Sequence, residues 1–391
     1  MKRKLSLLLC LLMILTIFTA CAKEQGTSTD PGTDSDVIKI GVFEPLTGEN
    51  GGGGQQETDG IKYANKMHPT VLGKKVELVV VDNKSDKAEG ATAVSRLIEN
   101  EKVVGIIGSY GSGVSIAAGD IIKNAKIPTI APSATNPMVT QGNEFYFRAC
   151  FLDPFQGKVM ANYAVQQGAK TAAVIMQNGD DYSVGLGNFF IDAFSDLTGS
   201  EANIIDTSYF QTNDTDFNAI LTNIKAKNPD VIFAPSSATT APLIIKQARA
   251  LGIDALIMGG DTWENPAVID VAGADAEGIV LSTFFDESDP VTEIAKTFVD
   301  GYKKELGDKE PIIPAVAALG YDAYILLLDA IERAGTTDGT AIKDALNATK
   351  DFEGVTGIIN FTEEGDADKN AAVIKTVEKG QFVYIDTVTV K

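Results

Sequence analysis

Side chains that could bind a polar ligand gather in two turns within residues 105–137 of this 391-residue chain. The first turn, GSYGSG, follows a β-branched run, and apolar residues recur at helical spacing from Ser112 onward. The second turn, PSATNP, follows the run 127–131. In an open parallel sheet, both turns would lie at the carboxyl ends of their strands, where such folds bind ligands. The hydroxyl groups that can donate or accept hydrogen bonds there are those of Ser112, Ser115, Ser133 and Thr135.

The first turn has the features of an anion-binding site. A helix that begins near Ser112 points unpaired N–H groups and the positive end of its dipole toward the turn. A carboxylate or a phosphate would suit this position equally well. The alternative is that Ser112 only caps the helix and that residues 132–137 only turn the chain, because caps and turns favour the same residue types.

The first 35 residues predict export rather than a part of the fold. Three basic residues, 2–4, precede an uncharged run, 5–20, which is short for a membrane span and typical of a signal peptide. The segment FTAC that ends at Cys21 resembles a lipobox, with Phe18 where leucine is usual, so Cys21 is the candidate for lipid attachment. Residues 21–35 would then be the lipidated cysteine and a flexible linker. The alternative is an ordinary signal peptide with an incidental cysteine.

The composition argues against several classes of function. A formal net charge of −20 opposes binding to nucleic acid, which needs a basic surface, and electrostatic docking on anionic lipid. His68 is the sole histidine, and Cys150 is the sole cysteine after Cys21. This inventory offers neither a Ser–His–Asp or Cys–His catalytic system nor a His/Cys metal cluster. We therefore expect no enzyme activity, no cofactor and no metal; a monomer is also expected.

β-Branched runs alternate with helical patterns along the rest of the chain, which predicts parallel sheets covered by helices on both faces. The length favours two lobes, because a single hydrophobic core stops growing at roughly 250–300 residues. Runs at 357–361, 371–378 and 382–390 predict an antiparallel finish. Helices are predicted at 55–66, 88–100, 155–167, 184–197, 217–227, 241–251, 291–306, 314–334 and 340–349.

Six segments together make the chain resemble a known family. They are 40–48 (IGVFEPLTG), 108–120, 130–137 (IAPSATNP), 147–157 (FRACFLDPFQG), 247–252 (QARALG) and 354–365 (GVTGIINFTEEG). In this order behind a lipobox, the chain resembles the periplasmic leucine/isoleucine/valine-binding proteins, the type I solute-binding proteins of ABC importers. The resemblance implies an α/β fold of two doubly wound lobes, periplasmic-binding-protein-like type I, joined by three crossing strands, with the ligand in the cleft between the lobes.

The resemblance also implies domain boundaries. Residues 36–149 and 285–352 would form lobe 1, and residues 153–283 and 356–391 would form lobe 2. A signal peptide, residues 1–20, and the linker would precede them. The crossing strands are expected near residues 150–152, 284 and 353–355.

An amino-acid site follows from the same resemblance, and its lobe 1 side falls in the two turns. Ser112 matches the serine that receives the ligand's α-carboxylate at the helix start, with help from the hydroxyl group of Thr135. The backbone carbonyl of Ser133 matches an acceptor for the α-ammonium group, which Thr135 also reaches. Ala134 belongs to the same ligand-binding turn.

Lobe 2 would complete this site. Tyr182 matches a tyrosine that closes over the ligand, and Asp261 falls where the family places an acid on the ammonium group. A zwitterion needs donors for its carboxylate and acceptors with a negative charge for its ammonium group, so the set is chemically consistent. The alternatives are a solvated turn acid for Asp261 and core packing at a helix start for Tyr182.

Two departures from the family pattern concern the pocket for the ligand's side chain. Gly53 stands where the family often has a tyrosine, and the small residues 236–238 replace a second aromatic residue. Both changes predict a larger or wetter pocket and leave branched-chain specificity open. A flexible loop is the alternative interpretation of the glycine run 51–54. The candidate wall residues are Phe43, Gly53, Tyr110, Ser237 and Trp263.

The sequence thus predicts a lipid-anchored protein on the outer face of the cytoplasmic membrane, or in the periplasm, that captures an amino acid, branched-chain or related. Its partners would be this small molecule, the lipid at Cys21 and the permease subunits of an ABC importer. The second hypothesis is a sensor that binds an amino acid, an amide or a short acid and signals to a receptor. An enzyme ranks third.

Overall fold

The computed structural model describes residues 36–307 and 311–389, and the predicted alternation of strands and helices is confirmed there. The strands are β1 (Val37–Glu44), β2 (Thr70–Val71), β3 (Lys74–Asp82), β4 (Gly105–Ile107), β5 (Thr129–Ala131), β6 (Tyr146–Arg148), β7 (Ala172–Gln177), β8 (Ile204–Phe210), β9 (Val231–Phe233), β10 (Leu256–Gly259), β11 (Val280–Thr283), β12 (Phe352–Gly354), β13 (Gly357–Ile359), β14 (Ala371–Glu378) and β15 (Gln381–Thr389). The helices are α1 (Gly51–Met67), α2 (Lys87–Glu99), α3 (Ser112–Ala125), α4 (Asp153–Gln166), α5 (Asp181–Thr198), α6 (Asn218–Lys227), α7 (Ala241–Ala250), α8 (Pro266–Ala272), α9 (Glu293–Leu306), α10 (Ala315–Ala334) and α11 (Gly339–Asn347).

The first sheet has the strand order β2-β3-β1-β4-β5-β6. All its pairings are parallel except that of the two-residue strand β2 with β3. The strands β4, β5 and β6 are buried along their whole length, as expected for a parallel sheet that has no face open to water. Because β4 and β5 are neighbours, the turns that leave them lie side by side at the carboxyl edge of the sheet.

The second sheet has the order β15-β14-β11-β10-β9-β7-β8. Its strands β7 to β11 pair in parallel, whereas β14 pairs in antiparallel fashion with both β11 and β15. The predicted antiparallel finish is therefore confirmed. Two mostly parallel sheets in one chain give the two-lobed α/β architecture, and β12 and β13 form a separate hairpin.

Helix α10 follows the last parallel strand of the second sheet but packs against α1, β4 and β5 of the first. Gly60 and Gly320 allow the two helices to approach closely. A Cβ atom at Gly60 would overlap the carbonyl oxygen of Ala317, and one at Gly320 would overlap that of Glu57. α10 is buried on nearly all its faces. Among residues 36–307 and 311–389, no helix has the length and apolar character needed to cross a membrane.

Two of the three segments predicted to cross between the lobes lie next to each other, and the third contacts helix α10. The rings of Phe151 and Phe284 have centroids 4.5 Å apart. The backbone N–H of Val355, at the third predicted crossing, donates to Asp322 Oδ1 on α10 at 2.6 Å. The exact domain boundaries remain a prediction.

Several local expectations differ from the structure. The glycine run is not a loop, because α1 begins at Gly51 and the N–H of Gly54 already donates to the carbonyl oxygen of Asn50 at 3.1 Å. Strand β2 has no counterpart in the predictions, since two residues carry no periodicity. Helix α8 was also missed, although Asn265 caps it by accepting from Ala267 N at 3.0 Å, followed by proline at the first helical position.

The close contact of α1 with α10 yields a stability prediction. Gly60→Ala should lower the free energy of unfolding by about 1–3 kcal/mol, because the added methyl group meets backbone that cannot rotate away. Chemical denaturation of the purified protein measures this change.

The matched control is Gly119→Ala in α3. A Cβ atom there would lie 3.7 Å from Asn143 Nδ2, so it has room. This variant should be neutral or more stable by up to about 1 kcal/mol, because alanine favours helix. Equal effects of the two substitutions would contradict the packing account.

Candidate ligand-binding site

Turns from both sheets meet around one small cavity of about 20 Å³. The first sheet contributes the turns after β4 and β5, and the second contributes the start of α5 and the segment after β10. Four residues predicted to bind the ligand lie in its wall, namely Ser112, Ser133, Tyr182 and Asp261, and two candidate wall residues, Tyr110 and Ser237, lie there too. The remaining lining residues are Asn50, Gly111, Asp180 and Thr262. Two carboxylic acids and no basic side chain therefore face this space.

Asp261 is buried and is held by neutral donors. Its Oδ1 accepts hydrogen bonds from Gln156 Nε2 at 2.8 Å and from the hydroxyl group of Tyr182 at 2.9 Å. Burial raises the pKa of Asp261 to about 6, and these two hydrogen bonds act against the rise. A carboxylate removed from water in this way is stabilised by a cation, so the site favours a positively charged ligand group.

Ser112 is the first residue of α3, and Gly111 occupies the cap position. The interpretation of Ser112 as the helix cap is therefore wrong. Its Oγ accepts a hydrogen bond from the backbone N–H of Asn136 at 3.3 Å, which ties the first turn to the second. Ser115 points inward instead, since its Oγ bonds both the N–H and the carbonyl oxygen of Ser109. The N-terminus of α3 thus faces the cavity with Ser112 beside it, as an anion site requires.

The second turn is fixed from behind by Arg148. The guanidinium Nη1 donates to the carbonyl oxygens of Ala134 and Asn136, both at 2.8 Å, and Nε contacts Asp366 Oδ1 at 2.6 Å. The carbonyl oxygen of Ala134 therefore accepts a hydrogen bond from within the protein. Thr135 is buried beside the carboxyl group of Asp153, whose pKa is raised by burial.

The space left by Gly53 is filled by another ring. A Cβ atom at Gly53 would overlap Cζ of Tyr110 and lie 2.7 Å from its hydroxyl oxygen. The loss of an aromatic side chain at position 53 therefore does not enlarge the pocket, because Tyr110 packs on the bare backbone of α1. Sequence reasoning missed this exchange because the two positions are far apart in the chain.

The remaining candidate wall residues differ in their placement. Phe43 and Trp263 are fully buried in hydrophobic cores. The indole Nε1–H of Trp263 donates to Ser236 Oγ at 3.3 Å, and its ring packs over Gly259. Trp263 thus occupies space beside the small residues of 236–238, whereas Ser237 lines the cavity.

A pair of buried acids behind the first lobe's turns was not predicted. Glu44 Oε2 accepts the backbone N–H of Tyr110 at 2.6 Å, and Glu57 Oε2 accepts the hydroxyl group of Ser133. The sequence contained one indication of Glu57, because this acid lies on the same helical face as Gly53, Gly60 and Ile61, and that face is buried. A charged residue on such a face needs a partner.

Polar contacts join the two lobes around the cavity. Lys87 Nζ lies 2.7 Å from Asp181 Oδ2, and the side-chain amide of Asn136 donates to the carbonyl oxygen of Asp181 at 2.8 Å. On another side, Asn265 Nδ2 donates to Gln56 Oε1 at 3.3 Å. Within the described residues, no group of three or more His, Cys, Asp or Glu side chains is arranged to hold a metal ion.

Comparison with known proteins identifies close relatives in fold and sequence. A family model described as "Periplasmic binding protein" matches residues 37–381. The chain is similar to the crystal structure of a leucine binding protein LivK from Thermotoga maritima, with 41% identity, a TM-score of 0.85, and coverage of 90% of this chain and 99% of that one. It is also similar to the branched-chain amino acid transporter substrate binding protein LivJ from Streptococcus pneumoniae in complex with isoleucine, with 33% identity, a TM-score of 0.83, and coverage of 90% and 99%.

A curated relative gives the same pattern at lower identity. The "Leucine-, isoleucine-, valine-, threonine-, and alanine-binding protein" of Pseudomonas aeruginosa is 28% identical over 339 residues, which are 85% of this chain and 87% of the relative. The matches span nearly the whole described chain.

The exchange of Gly53 and Tyr110 is testable by a double-mutant cycle. Gly53→Ala should destabilise the protein by about 1–3 kcal/mol, because the tyrosine ring must leave its place. In a Tyr110→Ala background the same substitution should cost much less, and the coupling energy should exceed about 0.5 kcal/mol. Chemical denaturation of the four proteins measures the cycle; additive effects would show that the ring does not depend on Gly53.

Proposed function

The chain belongs to the periplasmic binding protein family, and from this premise we propose that it is the extracytoplasmic substrate-binding lipoprotein of an ABC importer. It captures an amino acid, branched-chain or related, between its lobes and delivers it to a membrane permease. The observation that carries the proposal is Asp261, a buried carboxyl group in the interlobe cavity whose hydrogen-bond donors among the described residues are neutral.

The two ends of an amino acid match the two kinds of group in the cavity. The α-ammonium group pairs with Asp261 and the carbonyl oxygen of Ser133, while the α-carboxylate lies at the N-terminus of α3 with Ser112 and Thr135. Hydrogen bonds to charged groups contribute about 1.5–3 kcal/mol each. Tyr182 covers the ligand from lobe 2 and at the same time orients Asp261.

The relatives support an amino-acid ligand. The Thermotoga protein is a leucine binding protein, and the Streptococcus protein was solved with isoleucine. The Pseudomonas protein is named for five amino acids, including threonine and alanine. Tyr110 packs on Gly53 and Trp263 lies beside residues 236–238, so the loss of the two aromatic residues leaves less room for the ligand's side chain than the sequence suggested.

Ligand capture is coupled to closure of the lobes. We propose the boundaries given above, 36–149 with 285–352 and 153–283 with 356–391, which fit the strands of the two sheets. The contacts of Lys87 and Asn136 with Asp181 stabilise the closed arrangement, and a ligand that touches both lobes shifts the population further toward it. The permease recognises that closed state.

The anchor is proposed from sequence alone. Cys21 and the linker lie outside the described residues, and the lipobox is the observation that supports them. A lipid at Cys21 would hold the binding protein at the outer face of the cytoplasmic membrane, close to its permease.

The ligand clamp predicts a loss of affinity in Asp261→Asn. Titration calorimetry of the protein begun after Cys21, against the common amino acids, amides and short acids, should show one-to-one binding of an amino acid. The variant should bind it about 10- to 150-fold more weakly, because a charge-assisted contact is lost. Asp192→Asn, an exposed acid on α5, is the matched control and should keep the affinity.

Binding that is limited to amides or short acids without an α-ammonium group would contradict the clamp and favour the sensing hypothesis. Turnover of a bound compound would revive the enzyme hypothesis.

The anchor predicts that Cys21→Ser releases the protein from membranes. Fractionation of expressing cells should move the variant to the soluble fraction and abolish incorporation of a labelled fatty acid. Cys150→Ser is the matched control, because Cys150 is buried inside the folded body and its change leaves the lipobox intact. Retention of label in Cys21→Ser would show that another residue is acylated.

A further inference from the structure

A chain of buried hydrogen bonds runs behind both turns of the first lobe. The backbone N–H of Tyr110 donates to Glu44 Oε2 at 2.6 Å, and Ser133 Oγ donates to Glu57 Oε2. The carboxyl groups of Glu44 and Glu57 are close enough to hydrogen-bond each other when one of them carries a proton. Glu44 and Glu57 are both fully buried. The chain therefore links the turn after β4 to the turn after β5 through two carboxyl groups.

A hydrogen bond between the carboxyl groups of Glu44 and Glu57 requires that one of the two carries a proton. An ionised carboxylate only accepts hydrogen bonds, so two carboxyl groups that bond to each other must share a proton. The remaining oxygens, Glu44 Oε1 and Glu57 Oε1, are buried and have no other partner among the described residues. Two adjacent charges without counter-ions would repel each other strongly in a buried site.

The four groups belong to four separate segments. Glu44 ends β1, Glu57 lies on α1, Tyr110 precedes α3, and Ser133 follows β5. Both turns line the cavity, at Tyr110, Ser112 and Ser133. Loss of the hydrogen bond between the two acids would remove the connection between the turn after β4 and the turn after β5.

We propose that one proton shared by Glu44 and Glu57 holds the two ligand-facing turns in place, so that these acids are positioning residues for ligand binding. The proposal rests on the ligand site described under the proposed function. Neither acid touches the ligand; each acts through the turn that it bonds.

The direction of the pH dependence follows from burial. Burial raises the pKa of Glu44 and raises the pKa of Glu57 to about 8. A carboxyl group with a raised pKa binds its proton more tightly in the folded protein than in the unfolded chain. The stability that the shared proton contributes is therefore fully present below the ordinary carboxyl pKa and falls as the pH rises through about 8, the pKa of Glu57.

Two other buried acids near the pair, Asp153 beside Thr135 and Asp322 on α10, also have pKa values raised by burial, and the glutamine variants of the pair separate their titration from that of Glu44 and Glu57. The pKa of Asp261 is about 6, burial raises the pKa values of Tyr110, Tyr146 and Cys150 further above neutrality, and hydrogen bonds hold the pKa of Asp82 below its usual range. Two ion pairs lie on elements that pack near Glu44 and Glu57, namely Arg148 with Asp366 and Lys375 with Glu264. Tyr321 and Asp322 on α10 are the other titratable groups there.

Glu44→Gln tests the proposal, because an amide supplies a permanent donor. Its Nε2 can donate to Glu57 while its Oε1 accepts from Tyr110 N, so the bond survives at every pH. The midpoint of thermal unfolding without ligand is measured one pH unit below and one above the pKa of about 8. The wild-type midpoint should fall by about 1–3 °C more than that of the variant.

Leucine titrated under the same two conditions provides the functional readout. The wild-type dissociation constant should rise about tenfold across the window, and that of Glu44→Gln should change less than about twofold. Glu57→Gln is the second variant and should also be insensitive to pH. Glu99→Gln, an exposed acid at the end of α2, should behave as the wild type does.

The two readouts separate the proposals. If the wild type does not bind leucine, that ligand is wrong, but the unfolding midpoints still decide whether the acid pair shares a proton. Equal pH dependence of the midpoint in the wild type and in both glutamine variants would overturn the inference. Equal pH dependence of leucine affinity in all proteins would show that the pair does not position the ligand site.

Discussion

The burial of Asp261 without a basic partner among the described residues is the constraint on which the site depends. Gln156 and Tyr182 orient its carboxyl group but carry no charge. Three residues further along the chain, the buried acid Glu264 does have a basic partner, because Lys375 Nζ lies 2.5 Å from its Oε1. The fold thus neutralises Glu264 with a lysine and leaves Asp261 without a basic partner among the described residues. The proposed zwitterionic ligand, which would supply an ammonium group, would explain why the buried charge of Asp261 is tolerated.

In the proposed clamp, the negative charge of the ligand is bound without any basic side chain. The first turn offers the N-terminus of α3 and the hydroxyl group of Ser112, and these remain in place because the backbone behind them is secured. Arg148 holds the second turn through the carbonyl groups of Ala134 and Asn136, and its own charge is paired with Asp366. The cationic side chain therefore holds the scaffold, and backbone and hydroxyl donors are left for the proposed ligand. Such a site would bind a carboxylate without a strong net positive field.

The sequence was sufficient for the fold because β-branched runs and helical spacing agree along most of the chain. The parallel sheets, the antiparallel finish and the family are confirmed. Helix α1 was predicted to start too late, since four consecutive glycines carry no helical signal although the fold places them in the first turn. The packing of Tyr110 on Gly53 and the burial of Glu44 near Glu57 could not be predicted, because each depends on groups that only the tertiary fold brings together.

The central claim is that Asp261 recognises an α-ammonium group, and the most direct test changes the ligand rather than the protein. The wild-type protein is titrated calorimetrically with each common amino acid and with the corresponding α-keto acid, which keeps the carboxylate and side chain but lacks the ammonium group. We expect binding of one or more amino acids and a loss of at least about tenfold in affinity for the matching keto acid. Equal affinity for both members of a pair would contradict the account.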